Sequence, residues 1–300
     1  MSPKDWVKFI CLGLVWGSSF LWIKIAVAEV DPLTLVSYRV WFALLGLVVA
    51  LALVRPRRPQ QKDLPALFLL AVFNVAVPFA LISWSEQTIT SAMASILNST
   101  VPLFTILIAP LFLSEERLTP RRLLGLLMGF AGVVVLVSTP SGGGLGRLGP
   151  GALAMLLAAL CYAGSAVFAR RRTHHLSAEV QSIGQMLGAS LIISPAAALL
   201  EAPFHLPRLP ITWVALAWLG LLGSCVGTLL FYSLLKTAGP TRTTLTTYVF
   251  PLVGVALGWA VLGEQPGWRL LAGGMLIISG IVIVNSRLRF PAWHTGPAED

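Results

Sequence analysis

Charge is what this sequence has least of. Only 11% of its 300 residues are Asp, Glu, Lys or Arg, against about 25% in an ordinary soluble domain. Apolar residues make up 56%, and the mean hydropathy is +0.83. A water-soluble chain this apolar has too few polar groups to cover its own surface. A soluble enzyme, a disordered chain and a nucleic-acid-binding domain are thereby excluded. Negative charge is the scarcer sign, with 12 acidic residues against 21 basic ones. That surplus would suit a nucleic-acid partner, but an inner-membrane chain also keeps Lys and Arg in its cytoplasmic loops. Cysteine is sparse too. Cys11, Cys161 and Cys225 each sit inside an apolar run, as small buried hydrophobes do, and not in a disulfide framework or metal site. His174, His175, His205 and His294 fall in loops or the tail. Without convergent His, Asp or Glu in the apolar runs, neither an enzyme centre nor a cofactor is expected.

What is abundant is long apolar sequence. A spanning helix needs about 20 mostly apolar residues. Ten segments qualify: 6–28, 33–54, 64–84, 92–113, 121–138, 150–169, 178–200, 212–235, 242–262 and 268–286. Short loops with clear breakers separate them, such as Val30-Asp31-Pro32 and Pro207-Arg208-Leu209-Pro210. None could hold a soluble domain. Ala26-Val27-Ala28 looks like a signal-peptidase site, but Lys24 interrupts the run just before it, so a retained helix is expected. With the N-terminus placed in the cytoplasm, sixteen Lys and Arg fall in inside loops. Three fall outside (Arg147, Arg208, Arg269), and two, Lys24 and Arg39, lie within spans. This bias predicts a multi-pass protein of the cell inner membrane with both termini cytoplasmic.

The two halves resemble each other. At a shift of 149, Pro102 matches Pro251, Leu113 matches Leu262 and Glu115 matches Glu264. A one-residue gap then aligns Gly125 with Gly273 and Gly132 with Gly280. At a shift of 146, Trp16-Gly17-Ser18-Ser19 faces Tyr162-Ala163-Gly164-Ser165. Five spans per half is an odd number, so the second copy enters the membrane from the opposite side. The expected fold is an all-α integral membrane protein of ten transmembrane helices in two inverted five-helix repeats, 1–140 and 147–287, with a cytoplasmic tail at 288–300. Two such copies can exchange conformations, turning an inward-open state into an outward-open one of similar energy.

These residues carry a family resemblance over the whole chain. Trp16-Gly17-Ser18-Ser19-Phe20 with Lys24, Pro102-Leu103-Phe104-Thr105 with Leu113-Ser114-Glu115-Glu116, and Pro251-Leu252-Val253-Gly254 with Leu262-Gly263-Glu264-Gln265 resemble the EamA branch of the drug/metabolite transporter superfamily. Tyr162 stands where tryptophan is usual. The resemblance implies a ten-span exporter, similar to carriers of amino acids, aromatic ones among them. It also implies a small-molecule substrate, a lipid bilayer as surroundings and no nucleic-acid partner. A monomer is expected. A nucleotide-sugar or other metabolite carrier, or a scaffold that transports nothing, would have a similar sequence.

Polar residues inside lipid usually face the bundle interior or water. Ser91, Ser95, Asn98, Pro102 and Thr105 share one face of the fourth span, as Pro240, Thr244, Thr247, Pro251 and Gly254 do in the ninth, with Tyr248 bordering them. Two such stripes are either facing walls of one cavity or glue between helices. Trp16 and its mate Tyr162 lie mid-span, unlike the tryptophans at span ends, and Ser19 lies one turn further on. Asn74, Tyr232 and Gln185, the mate of Arg39, complete the candidate substrate site. Arg39 could attract a substrate carboxylate. Lys24 reads as a snorkelled, ion-paired side chain near Glu29, Asp31 and Glu86. No Asp or Glu falls at mid-membrane, which argues against an intramembrane carboxylate relay. Pro102 and Pro251 are expected in mid-helix, where each removes a hydrogen bond and marks a candidate hinge. The lining fits a small zwitterionic or amphipathic metabolite, amino acids foremost, exported by alternating access.

Overall fold

The computed structural model describes residues 2–54, 56, 58–113, 119–137, 149–201, 206–238, 243 and 245–285. Thr244, Glu115, Pro240, the junction between the proposed repeats and the 288–300 tail lie outside these residues. All regular structure among the described residues is helical. We number the helical segments in chain order: α1 Pro3–Ala26, α2 Pro32–Val54, α3 Gln61–Ser85, α4 Ser91–Phe112, α5 Pro120–Val137, α6 Pro150–Arg172, α7 Ala178–Leu200, α8 Pro210–Leu234, α9 Thr246–Leu262 and α10 Trp268–Val284. The first eight are long and apolar enough to cross a membrane, and the last two are shorter apolar helices. Their ends fall within a few residues of the sequence expectation. Each boundary has a local cause. Pro3 opens α1 behind a capping box, in which Ser2 Oγ accepts from the Asp5 N–H at 3.2 Å and Asp5 returns the contact to the Ser2 N–H at 3.1 Å. Gly263 closes α9 in the left-handed region, φ 67°, where a Cβ would be strained.

Four of these segments are not regular α-helix throughout. In α3 the stretch Ala71–Ala76 is a π-helix running into Val77–Ser85. Pro78 explains it: a proline has no N–H for the residue 74 carbonyl and its ring would clash there. In α8 the stretch Trp218–Val226 is also π-helical, without a proline, and carries Gly220 and Gly223. The third case is α4, which breaks after Asn98 and resumes at Val101. Pro102 is thus in the first turn of the second piece, not inside an unbroken helix as expected, and Pro251 likewise falls in the first turn of Val249–Leu262 after a 3-10 turn at Leu245–Tyr248. A proline is well tolerated in a first turn, because its missing N–H has no intrahelical partner there. At the α4 break Ile96 O and Leu97 O accept from the Ser99 and Thr100 N–H groups, both at 3.1 Å, and from their hydroxyls as well. Ser99 Oγ donates to Ile96 O and Thr100 Oγ1 to Leu97 O, both at 2.6 Å.

Packing runs mostly between the two halves. α1 lies against α8 and α9, α6 lies against α3 and α4, and α2 lies against α7 and the π-helix of α8. The tightest pair is α5 with α10. Glycines allow it: a Cβ on Gly132 would sit 2.6 Å from Gly273 O, one on Gly273 would sit 2.8 Å from Gly132 O, and Gly125 meets Gly280 in the same reciprocal way. Without a hydrophobic driving force between helices in lipid, such backbone contact is a main source of association. Gly132→Leu should therefore lower the melting temperature by several degrees, because backbone has to move to admit the side chain. Gly164→Ala, whose Cβ meets nothing within 4 Å, should leave it unchanged or raise it slightly. Thermal unfolding of the purified variants in detergent checks both.

Candidate functional site

Six of the sequence-selected residues come together around the two π-helices. A π-bulge shifts the backbone ladder and often marks a functional position. Gly223, inside the α8 π-helix, is the meeting point. Its carbonyl accepts from Trp16 Nε1 at 2.8 Å. A Cβ on it would lie 3.4 Å from Ser19 Oγ and 3.7 Å from an Arg39 terminal nitrogen. The indole of Trp16 packs on Phe231 at 5.4 Å and on Phe250 at 6.2 Å between ring centroids. Phe231 in turn meets Tyr232 at 5.4 Å. From there a chain of side-chain hydrogen bonds crosses to α3. Gln185 Nε2 donates to Tyr232 OH at 2.8 Å, and Asn74 Nδ2, inside the α3 π-helix, donates to Gln185 Oε1 at 2.8 Å. Ser19 is buried and its own hydroxyl is turned back to Val15 O at 3.1 Å.

Arg39 is the unusual member. It lies about 10 Å along α2 at 1.5 Å per residue and is only 5% exposed. Its Nε donates to Ser224 Oγ at 2.8 Å, and its guanidinium lies over the Phe79 ring, 3.8 Å from the centroid. A desolvated cation–π contact is worth about 2 kcal/mol, much less than the cost of burying a charge. No carboxylate pairs with it, and neither terminal nitrogen has a hydrogen-bond partner among the described residues. Tyr162 lies within electrostatic reach of it and its hydroxyl is likewise unbonded among those residues. Asn98 is 7% exposed, with a buried side-chain oxygen that has no partner. The site thus holds a positive group without a carboxylate partner among the described residues, with the Ser224 hydroxyl bonded to it, Tyr162 within electrostatic reach and the Phe79 ring beneath it. It can receive an anion.

Other candidates lie elsewhere. Ser95 is fully buried, bonds Ala92 O at 2.8 Å and packs directly on Gly254, so it joins α4 to α9. Tyr248 OH donates to Ile281 O at 2.8 Å, tying α9 to α10. Both act as helix glue. Sequence reasoning missed Ser224, Gly223 and Phe79. Gly223 and Ser224 lie in a π-helix, which shifts the face on which its residues lie, and Phe79 is an apolar residue in the α-helical stretch that follows the other π-helix.

One end of the bundle is tied by charged side chains on helix ends. Glu264 accepts from Ser91 N–H at 2.8 Å and Ala92 N–H at 3.1 Å at the start of α4. Glu201 accepts from Leu33 and Thr34 N–H groups at 2.9 and 2.7 Å at the start of α2. Glu29 accepts from Thr212 Oγ1 and from the Arg208 and Leu209 N–H groups ahead of α8. Those hydrogen bonds, Thr212's first, hold the Glu29 carboxyl below its usual range. Lys24 does not form the expected ion pair. Its ammonium donates to Glu86 O at 2.5 Å and Ile89 O at 2.8 Å, past the end of α3. Acids at helix starts and a base at a helix end both suit the macrodipole. Lys24, Glu29, Thr90, Thr212 and Glu264 together line a cavity of about 540 Å³ at this end. Among the described residues there is no cluster of three His, Cys, Asp or Glu fit for a metal ion.

Comparison with known proteins agrees with this architecture. A solved structure with 21% identity, covering 94% of this chain and 96% of its own, superposes with a TM-score of 0.69, which indicates a common fold. An uncharacterised transporter of Archaeoglobus fulgidus is 27% identical, over 94% of this chain and 98% of its own length. The uncharacterised inner membrane transporter YedA of Escherichia coli K12 is 28% identical, over 94% and 90%. A protein of Streptantibioticus cattleyicolor named "Probable terminal-alkyne amino-acid exporter" is 27% identical, over 96% and 95%. The model of the EamA-like transporter family matches twice, at residues 6–138 and 149–286. Together these matches span nearly the whole multi-pass chain, which therefore belongs to the EamA-like transporter family.

Proposed function

We propose that this protein exports small zwitterionic metabolites, amino acids foremost, by alternating access through the site around Gly223 between two inverted five-helix repeats. Arg39 carries the proposal. A buried guanidinium with both terminal nitrogens unbonded among the described residues is costly unless a ligand carboxylate joins it. The aromatic wall of Trp16, Phe231 and Phe250 suits an apolar side chain. Tyr162, Asn98 and the Asn74–Gln185–Tyr232 chain supply polar contacts for the rest of the molecule. The relative named as an amino-acid exporter supports the same class.

The repeat reading has independent support. Under the sequence alignment Gly125 is the mate of Gly273 and Gly132 of Gly280, and the contacts are crosswise, Gly125 with Gly280 and Gly132 with Gly273. A two-fold axis in the membrane plane exchanges these two contacts. The pairings of α1 with α8 and α6 with α3, of α1 with α9 and α6 with α4, and of α2 with α8 and α7 with α3 are exchanged likewise. So are the two π-helices. In this reading all ten helices cross the inner membrane and both termini are cytoplasmic. The breaks before Pro102 and Pro251 are the hinges on which the halves of α4 and α9 bend.

Substrate class is testable by ligand stabilisation. A bound amino acid at a hundredfold its Kd stabilises by about 2.7 kcal/mol. L-Phenylalanine should raise the melting temperature of the purified protein by a few degrees. Its decarboxylated amine should do so far less, and Arg39→Gln should abolish the difference between the two. A shift given by nucleotide sugars and by no amino acid would overturn the assignment. The topology is testable by impermeant thiol labelling in a cysteine-free background. Cysteine at exposed Gln87 should react from outside intact cells and cysteine at exposed His174 only after permeabilisation. Labelling of both from one side would refute the ten-span reading.

A further inference from the structure

Sequence reasoning leaves Glu86 in a loop past α3, one of several acids near Lys24. In the fold it is fully buried, and both carboxyl oxygens lack any hydrogen-bond partner. Its neighbours do not neutralise it. Lys24, from α1, gives its ammonium hydrogen bonds to two backbone carbonyls, Glu86's own and that of Ile89. Glu264, following α9, is turned to the start of α4 and adds a second negative group nearby. Arg39, from α2, is within electrostatic reach but engages Ser224 and Phe79. A carboxylate left dry and unpaired is very costly, and such a group takes a proton instead. Burial, the largest cause, raises the Glu86 carboxyl well above its usual range, with Glu264 acting the same way and Lys24 and Arg39 opposing.

We propose that Glu86 is the proton-binding site that couples this transporter to pH: it is neutral while the end of the bundle tied by Lys24 and Glu264 is shut, and it ionises when that end opens to water. The inference rests on the alternating-access reading above. Its proton balance is simple. Closure takes one proton from the outer solution onto a Glu86 oxygen, and opening returns it. The closed state binds the proton more tightly, so acid outside favours closure and rising pH favours opening. Between the two affinities, the ratio of open to closed protein changes by about tenfold per pH unit. An exporter so built releases its substrate to the outside more readily as the outer solution becomes more alkaline.

Two measurements on the full chain in lipid nanodiscs test this without a substrate. Infrared spectroscopy at neutral pH should show a protonated carboxyl C=O stretch in the wild type that Glu86→Gln removes. Spin labels at exposed Gln87 and Gln265, which lie on either side of the Glu264 to Ser91 contact, report the opening of this end. The wild type should shift from a short to a long distance as pH rises, Glu86→Asp should keep a pH response, and Glu86→Gln should lose it. Absence of the carboxyl band, or a Glu86→Gln variant that titrates as the wild type does, overturns the proposal. If the band is present but the wild type keeps one distance at every pH, alternating access at this end fails and the coupling with it, while the proton on Glu86 stands.

Discussion

In a bilayer a polar group has no water to turn to, so each one must be satisfied by the protein or by what the protein carries. Most of this structure follows from that constraint. At the α4 break Ile96 O and Leu97 O each accept twice, from the backbone N–H and from the hydroxyl of Ser99 and Thr100 respectively. The starts of α2, α4 and α8 present N–H groups that Glu201, Glu264 and Glu29 accept from across the bundle. The free carbonyls past α3 take the Lys24 ammonium. Small residues supply the remaining cohesion, since only glycine lets α5 and α10 touch backbone to backbone.

Against this background a few buried groups stay unpartnered, and the proposed function rests on the charged and amide ones among them. Among the described residues the buried side-chain atoms without a partner are Asn98 Oδ1, both Glu86 oxygens and the hydroxyls of Thr34, Ser83, Ser165 and Ser182, and Arg39 has a single side-chain hydrogen bond, from Nε to Ser224. Arg39, Asn98 and Glu86 are buried, and each would be destabilising in a protein meant only to hold itself together. Arg39 and Glu86 are not ion-paired with each other, which suits a cationic Arg39 and a protonated Glu86. A site that binds a substrate carboxylate at one and a proton at the other would use this arrangement. The two π-helices contribute by shifting Asn74 and Ser224 onto the interior without breaking the helices that hold them.

Much of the fold is readable in the sequence because membrane solvation leaves a blunt signal. Twenty apolar residues between breakers become a helix, and the boundaries of α2, α6 and α7 fall close to the expected positions. The site is less legible. Trp16, Arg39, Gln185 and Tyr232 were identifiable as polar or amphipathic residues in mid-span, and they do converge. The regular helical stripe does not reveal that Ser95 bonds its own helix and packs on Gly254. It misled at Pro102, because α4 is two helices and not one. Ser224 and Gly223 were invisible because a π-helix changes which residues share a face. Glu86 was missed for a different reason. Sequence assigns it to a loop, and loops are assumed wet, but here the loop lies under α1 and the start of α4.

Counterflow in proteoliposomes tests the central claim most directly. Vesicles loaded with unlabelled L-phenylalanine and diluted into labelled L-phenylalanine should take up label transiently above equilibrium with the wild-type protein, and Arg39→Gln should reduce this overshoot to that of empty vesicles at equal protein content. An overshoot that Arg39→Gln leaves unchanged, or wild-type vesicles that exchange no amino acid faster than empty ones, would contradict the account.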